Sequence, residues 1–210
     1  MTKVQAASTE HNMRDEVKRI TVELLLRYGY QGLRFRDIAE TLGTTRANIH
    51  HHFGNKMNLC EEVILDYVEQ TLSSWEKNWC SDKTLEAKIE GMMEANRARY
   101  LAFNPTAKTA NPWSLIGRMR LERETIGPRA RQALVDFGST LDRLVLTGVS
   151  QAIETGELVK DAPINAIALQ LVAVADSAGF ITQDGGDFSR LEQLYRSISL
   201  IVHKAYGRNS

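Results

Sequence analysis

The segment from Gly43 to Lys56 constrains this chain most, because it predicts a tight turn followed by a short helix with two different sides. Ile49 and Phe53 lie four residues apart, so they share one side of a helix and predict its buried face. The other side carries small, amide and imidazole side chains, with cations at both ends of the segment. Such a helix suits the major groove of duplex DNA.

Apolar periodicity predicts an all-α chain of about nine helices, because glycine and proline fall between the repeats and no strand pattern is evident. The first three helices, in fewer than fifty residues with a short turn around Gly43, form a helix-turn-helix. The predicted helices are 12–28, 35–42, a third that begins after Thr45, 56–79, 82–103, 113–123, 128–156, 163–181 and one from 189 onward.

Capping residues mark where several of these helices begin and end. A side-chain oxygen at a helix start accepts a hydrogen bond from an unpaired amide of the first turn. Proline is well suited to the first helical position, and glycine often follows the last. These rules predict caps at Asn12, Thr45 and Asn55, a capping box from Ser189 to Glu192, an end at Gly29 and a start at Pro128.

The last two helices carry more apolar surface than one small core needs. The eighth has a single charged residue, Asp176, in about five turns, so it must be covered on more than one side. We infer that both helices pair with their copies in a second chain, as a four-helix dimer interface. The alternative is that both are internal core. The uncharged run 164–175 is too short to span a bilayer, so no membrane span is expected.

The charge distribution separates the amino-terminal part from the rest. Residues 1–59 hold nine Lys/Arg against six Asp/Glu, or +3, whereas residues 60–210 hold seventeen against twenty, or −3. A basic amino-terminal part on an acidic remainder is typical of a nucleic-acid module carried by a non-binding body. Chance scatter of charge is the alternative. The first fifteen residues are polar, and Cys60 and Cys80 lack a metal or redox spacing, so a reduced, cytoplasmic protein is expected.

No arrangement of residues in the sequence predicts catalysis or metal binding. There is no nucleophile elbow, phosphate loop or HExxH pair, so we expect no enzyme activity and no cofactor. Adjacent residues of a helix point about 100° apart, so His50, His51 and His52 cannot chelate one ion together. His11 and His203 are expected to be solvated or to cap helices.

The chain resembles the TetR/AcrR family of transcriptional regulators over roughly residues 14–65, most strongly from Asp37 to Leu59. The matching pieces are Tyr28-Gly29-Tyr30, Asp37-Ile38-Ala39, Leu42-Gly43-Thr44-Thr45, Ile49, His52-Phe53, Asn55-Lys56 and Leu59. The chain departs from the family at His50, where a Tyr is usual, and at Arg34, which replaces the usual Ser or Thr cap of the second helix. The remaining helices match only in organisation.

The resemblance implies a helix-turn-helix domain over residues 1–55 and a helical ligand-binding and dimerisation domain over residues 56–210. It also implies which positions contact operator DNA, either at base edges or at phosphates. Asn48 is suited to an adenine edge, and Arg46 to guanine or phosphate. The DNA-contacting positions implied in this way are Arg36, Thr45, Arg46, Ala47, Asn48, His50, His51, His52 and Lys56.

By the same resemblance, the chain is expected to be a homodimeric repressor, released from a palindromic operator by a small-molecule inducer. The alternatives are a helical small-molecule-binding protein with a vestigial helix-turn-helix, or a helical adaptor that binds only proteins. Bulky and polar residues of the later helices are either core or the lining of an inducer cavity. The candidate lining residues are Trp75, Trp79, Met92, Asn96, Arg99, Tyr100, Trp113 and Phe137.

Overall fold

A computed structural model describes the backbone of residues 3–208 and the side chains of residues 12–208. Within these residues the chain folds into nine α-helices and no strand longer than an isolated bridge, which confirms the all-α prediction. The helices are α1 (Lys3–Gly32), α2 (Phe35–Leu42), α3 (Arg46–Phe53), α4 (Lys56–Trp79), α5 (Leu85–Phe103), α6 (Leu115–Leu121), α7 (Pro128–Glu154), α8 (Ile164–Gly185) and α9 (Ser189–Tyr206).

The first helix is longer than the sequence predicted. Its backbone is helical from Lys3, so the cap expected at Asn12 does not form, because the preceding residues lack glycine and proline and continue the helix. The end predicted at Gly29 is a kink, since Gly29 leaves the helical conformation with φ 69° and ψ −179° and one more helical turn follows up to Gly32. The side chain of His11 lies outside the described part of the chain.

Three predicted helix starts, at Thr45, Asn55 and Pro128, follow the capping rules, and besides Asn12 one other does not. Asn55 accepts a hydrogen bond from the amide of Asn58 at 2.9 Å, and Pro128 occupies the first turn of α7. The capping box expected at Ser189 is wrong. Ser189 is already the first helical residue of α9, so Phe188 takes the cap position, and the Asp187 carboxylate accepts from the Ser189 amide at 2.8 Å.

Helices α4 and α7 share the largest interface of the described chain, and α8 packs against both α7 and α9. Trp79, at the end of α4, is fully buried against Gly148 in the last third of α7. A Cβ atom on Gly148 would lie 2.4 Å from Cε3 of the Trp79 ring, so only glycine allows this close approach. This interface fixes the helix that leaves the helix-turn-helix onto the rest of the molecule.

The uncharged run 164–175, expected to be too short to cross a membrane, lies within a longer helix that is long and apolar enough to cross one by length and composition alone. Within the described residues α8 is the one helix that passes both tests, with 22 residues and few charges. Many core helices pass the same tests, and α8 packs one side against α7 and α9 through residues such as Leu171. Its other side is exposed, with Leu169 at 69% and Phe180 at 43% of their full accessible area.

Candidate functional site

The turn between α2 and α3 is closed by backbone hydrogen bonds and by the predicted cap. Gly43 adopts a left-handed conformation with φ 63° and ψ 31°, which allows the amide of Thr44 to donate to the carbonyl of Ala39 at 3.0 Å. The Thr45 hydroxyl accepts from the amide of Asn48 at 3.2 Å, as predicted. Arg34 makes no side-chain cap at the start of α2, yet the helix forms. The start of α3 is therefore held in one orientation.

Helix α3 has the two different sides that its sequence predicted. Ile49 and Phe53 are buried in the core, where they pack with α1, α2 and α4 residues. The opposite side, which we call the α3 outer face, is open or half-open to solvent. The α3 outer face consists of Arg46, Ala47, Asn48, His50 and His51.

Two side chains of the α3 outer face are already oriented by neighbouring groups. The Asn48 amide donates to the Thr44 hydroxyl at 3.0 Å, which leaves its carbonyl oxygen and its second N–H for another partner. The ring of His50 lies edge-on to Phe35, with centroids 4.7 Å apart, and its Nδ1 is 2.6 Å from the carbonyl oxygen of Gly54. A carbonyl only accepts, so Nδ1 carries a proton and Nε2 is the nitrogen available for other contacts.

The other predicted DNA contacts lie around α3, and two of them have partners within the protein. Arg36 is exposed and pairs with Glu40 at 2.9 Å, one helical turn away. The Lys56 ammonium donates to the carbonyls of Tyr30, at 3.0 Å, and Leu33, at 3.4 Å. It therefore ties the start of α4 to the end of α1 in this structure, and its contact with phosphate stays a prediction.

The sequence did not mark Arg14 of α1, which connects α1 to both α3 and α4. Its guanidinium donates to the carbonyl of His52 at 2.5 Å and to the Glu62 carboxylate at 2.6 Å, and it lies 4.4 Å from the centre of the Phe53 ring. These partners are 38 to 48 residues away in sequence, so no local pattern marks them. Arg14 thereby fixes the end of α3 relative to α1 and α4.

The described residues contain no group of three or more His, Cys, Asp or Glu side chains that could hold a metal ion. His51 and His52 are neighbours with ring centroids 5.6 Å apart. His203 was expected to be solvated or a cap, and this expectation is wrong, because it is half-buried and bonds to Glu157 at 2.9 Å and to the Ser199 carbonyl at 2.8 Å.

A small cavity lies among α4, α5, α6, α7 and α8, with a free volume of about 30 Å³. We call it the central cavity. Five of the eight predicted ligand-lining residues meet there: Trp75, Asn96, Arg99, Trp113 and Phe137. The amide of Asn96 donates to the hydroxyl of Tyr195 at 2.9 Å, and burial raises the pKa of that phenol. The sequence identified Asn96 as an inward amide, but its partner lies 99 residues away on α9.

The other three predicted lining residues belong to the core outside the central cavity. Trp79 packs on Gly148, and Met92 is fully buried. The hydroxyl of Tyr100 donates to the Thr109 carbonyl at 2.6 Å, and its ring lies against Phe188. Core residues and cavity-lining residues show the same helical spacing along α4 and α5. The sequence pattern therefore could not distinguish the core from the cavity.

Comparisons with known proteins agree with this geometry. The family model for bacterial regulatory proteins of the tetR family matches residues 20–63, from α1 into α4. The transcriptional repressor AcnR of Corynebacterium glutamicum is 26% identical over 181 residues, covering 86% of each chain. The transcriptional regulator QacR of Staphylococcus aureus is 24% identical over 98 residues, 47% of this chain and 46% of its own.

Solved structures share the whole fold. A TetR-family regulator from Agrobacterium tumefaciens superposes with a TM-score of 0.76 at 16% identity, over 95% of this chain and 100% of its own. A regulator from Saccharomonospora viridis, solved in complex with choline, has a TM-score of 0.73 at 18% identity over the same shares. The helix-turn-helix geometry, the family match over residues 20–63 and the similarity to named repressors together support a DNA-binding regulator of the TetR family.

Proposed function

We propose that the protein is a cytoplasmic, homodimeric repressor that binds a palindromic operator and is released from it by a small-molecule inducer. The observation that carries this proposal is the α3 outer face, a polar surface left open on a helix whose other side and both ends are fixed. A dimer would place two such faces in successive major grooves, about 34 Å apart on one side of the duplex. The relatives named as repressors support repression over activation.

Base reading is assigned to Asn48 and Arg46, and phosphate contact to Thr45, His50 and His52. An amide is suited to adenine and a guanidinium to guanine, in both cases through two hydrogen bonds. The first turn of α4 adds unpaired backbone amides beside Lys56, and such amides favour phosphate. Residues 1–55 are then the reading domain and residues 56–210 the body.

Dimerisation is assigned to the uncovered sides of α8 and α9. Leu169, Phe180, Leu200 and Ile201 are exposed there, and Ile201 retains 61% of its accessible area. Four large exposed apolar side chains on two adjacent helices form a patch, whereas single exposed apolar residues scattered over a surface are common. A second copy of the same helices would cover this patch. The exposed apolar surface of α8 is thereby explained without a membrane.

Ligand response is assigned to the central cavity, because its walls connect to the reading domain through α6 as well as α4. Helix α6 contributes Ile116, Gly117 and Arg120 to the cavity. Just after α6, the Glu122 carboxylate accepts a hydrogen bond from the amide of Tyr30, at the end of α1, at 2.7 Å. A ligand that displaces α6 would therefore displace the support of the reading helices.

Selection of duplexes from a random-sequence library, followed by fluorescence anisotropy, tests DNA recognition. We expect an inverted repeat, with affinity that falls steeply as salt rises. Asn48→Ala should lose specific binding but retain binding to random duplex, whereas Lys56→Ala should weaken all duplexes alike. Gln132→Ala, which removes an exposed amide from α7, is the control and should change neither. Equal loss for Asn48→Ala on selected and random duplexes would remove it from base reading.

Sedimentation tests the dimer. Ile201→Lys places a charge on the α9 surface and should give a monomer, while Val135→Lys, at a position on α7 that is 53% exposed, should leave the dimer intact. A wild-type monomer, or dimers in both variants, would contradict the assigned interface. A folded dimer without affinity for any duplex would favour the helical small-molecule-binding protein instead.

A further inference from the structure

We propose that the central cavity binds the carboxylate group of a small organic acid through Arg99 and Trp75. The inference rests on the proposed ligand response and specifies the chemistry of its ligand. It follows from two hydrogen-bond donors that have no acceptor in the protein, from the charge of the lining and from the size of the cavity.

Arg99, on α5, is the first unpartnered donor. Its guanidinium carries five N–H groups, yet among the described residues it has no ion pair and no hydrogen bond. Its guanidinium carbon lies over the face of the Trp75 ring, 5.8 Å from the ring centre. Burial lowers the pKa of Arg99, with nearby Tyr67 and Tyr195 opposing the shift, but an arginine in a protein stays charged. The cavity therefore presents a cation without a counter-ion.

Trp75, on α4, is the second unpartnered donor. The residue is only 4% exposed, and its indole Nε1 is buried without a hydrogen-bond partner. Trp113, in the same cavity, shows the usual arrangement, because its Nε1 donates to the Thr182 hydroxyl at 2.8 Å. Trp79, which packs in the core outside the central cavity, also has a buried Nε1 without a partner, so Arg99 is the donor that distinguishes the cavity. An acceptor group bound to Arg99 would lie beside Trp75 and could also accept from its N–H.

The remaining charges of the lining cancel. Arg120 pairs with Asp176 at 2.7 Å across the cavity wall, from α6 to α8. The lining therefore has a surplus of one positive charge, which favours an anion with a single charge. A planar carboxylate matches the planar fork of a guanidinium through two parallel hydrogen bonds. The rings of Trp113 and Phe137 provide an apolar wall for the rest of the acid.

The size of the cavity limits the acid. About 30 Å³ is free in the central cavity, and a neighbouring cavity of about 70 Å³ lies between α6 and α8, sharing Trp113, Ser114, Gly117 and Asp176. Cavities that take benzene are about 150 Å³. Because the central cavity has only about a fifth of that volume, even a carboxylate with a short carbon chain requires its walls to move, and an aromatic acid requires a larger displacement.

Isothermal titration calorimetry at constant ionic strength tests the inference with pairs of probes of equal shape. Propionate is compared with propionamide, and benzoate with benzamide; chloride and inorganic phosphate are added as further anions. We expect each carboxylate to bind at least about tenfold more tightly than its amide, since the hydrogen bonds to the charged group are the stronger ones. Chloride and phosphate should bind more weakly than propionate.

Variants of α4 and α5 provide the matched controls. Arg99→Met should abolish the preference for carboxylate over amide, while Arg97→Met, which removes the same charge from a residue paired with Glu192 at 2.8 Å, should retain it. Trp75→Phe keeps a ring and removes the N–H, so it should weaken carboxylate binding about three- to tenfold. Circular dichroism establishes that each variant is folded, and an unfolded Arg99→Met is replaced by Arg99→Gln.

Three results would overturn the inference: equal affinity for carboxylates and amides, a carboxylate preference that survives Arg99→Met, or tighter binding of phosphate than of either acid. Anisotropy with the selected duplex separates these from failure of the proposed function. If propionate binds but operator affinity does not change, the carboxylate site is supported and the proposed ligand response is refuted. If the operator binds but no carboxylate does, the carboxylate site is refuted and the proposed DNA-binding function is retained.

Discussion

Replacing Arg14 by Met should loosen α3 without touching the α3 outer face. Arg14 donates to the carbonyl of His52 at 2.5 Å, to Glu62 at 2.6 Å, and lies over the ring of Phe53. All three partners belong to α3 or α4, so the guanidinium is the part of α1 that holds the end of α3 in place. Methionine keeps most of the apolar stem and removes only the charged fork.

The expected loss of stability is set mainly by the bond to the carbonyl. A charged donor on a carbonyl contributes about 1.5–3 kcal/mol. The pair with Glu62 adds at most about 1 kcal/mol, because the two side chains are 32% and 31% exposed and are screened by water. Contact with the Phe53 face adds about 0.5–1 kcal/mol. These contributions share one side chain and do not add fully, so we expect a loss of about 2–3 kcal/mol.

Urea unfolding and operator anisotropy measure the two consequences, with Arg19→Met as the control. Arg19 lies on the same helix and carries the same charge, but it is exposed and forms ion pairs with Glu16 and Glu23 of its own helix. Both variants should change the salt dependence alike, since each loses one positive charge. Arg14→Met should also lose about tenfold in operator affinity at every salt concentration, because contacts must be positioned within about 0.5 Å. Equal stability and affinity in the two variants would refute the anchoring role.

Two further predictions concern the body of the protein. Gly148→Ala should destabilise the protein by about 1–2 kcal/mol, because the added Cβ meets Trp79. Gly138→Ala, on the same helix, is the control and should stabilise it by up to about 1 kcal/mol. Equal free energies of unfolding in urea for the two variants would contradict this. Burial lowers the pKa of His203, but hydrogen bonds to Glu157 and to a backbone carbonyl outweigh it and raise the pKa above its ordinary 6.5. The charged His203 stabilises the fold below pH 6.5, and this stabilisation is lost as pH rises through the folded-state pKa. His203→Gln should therefore lower the free energy of unfolding most near about pH 5.5 and least near about pH 8.5. A loss of stability that does not depend on pH would refute this reasoning.

Local hydrogen bonding and apolar periodicity were enough to predict the helices and the α3 outer face. A cap joins residues only two or three positions apart, so Thr45 and Asn55 could be assigned without knowing any other part of the fold. The same holds for Ile49 and Phe53, because helical geometry alone places them on one side. Ser189 shows the limit, since the competing carboxylate of Asp187 satisfied its amide instead.

The sequence by itself determined an all-α chain with a helix-turn-helix at its start, because those properties follow from contacts within a few residues. Only the tertiary structure decided which inward side chains line a cavity and which fill the core. Trp75 and Trp79 lie about one helical turn apart on α4, yet Trp75 lines the central cavity and Trp79 packs on Gly148 in the core. That difference depends on which helices pack nearby, and the residues that decide it are far away in sequence: Phe137 is 62 positions from Trp75, and Gly148 is 69 positions from Trp79.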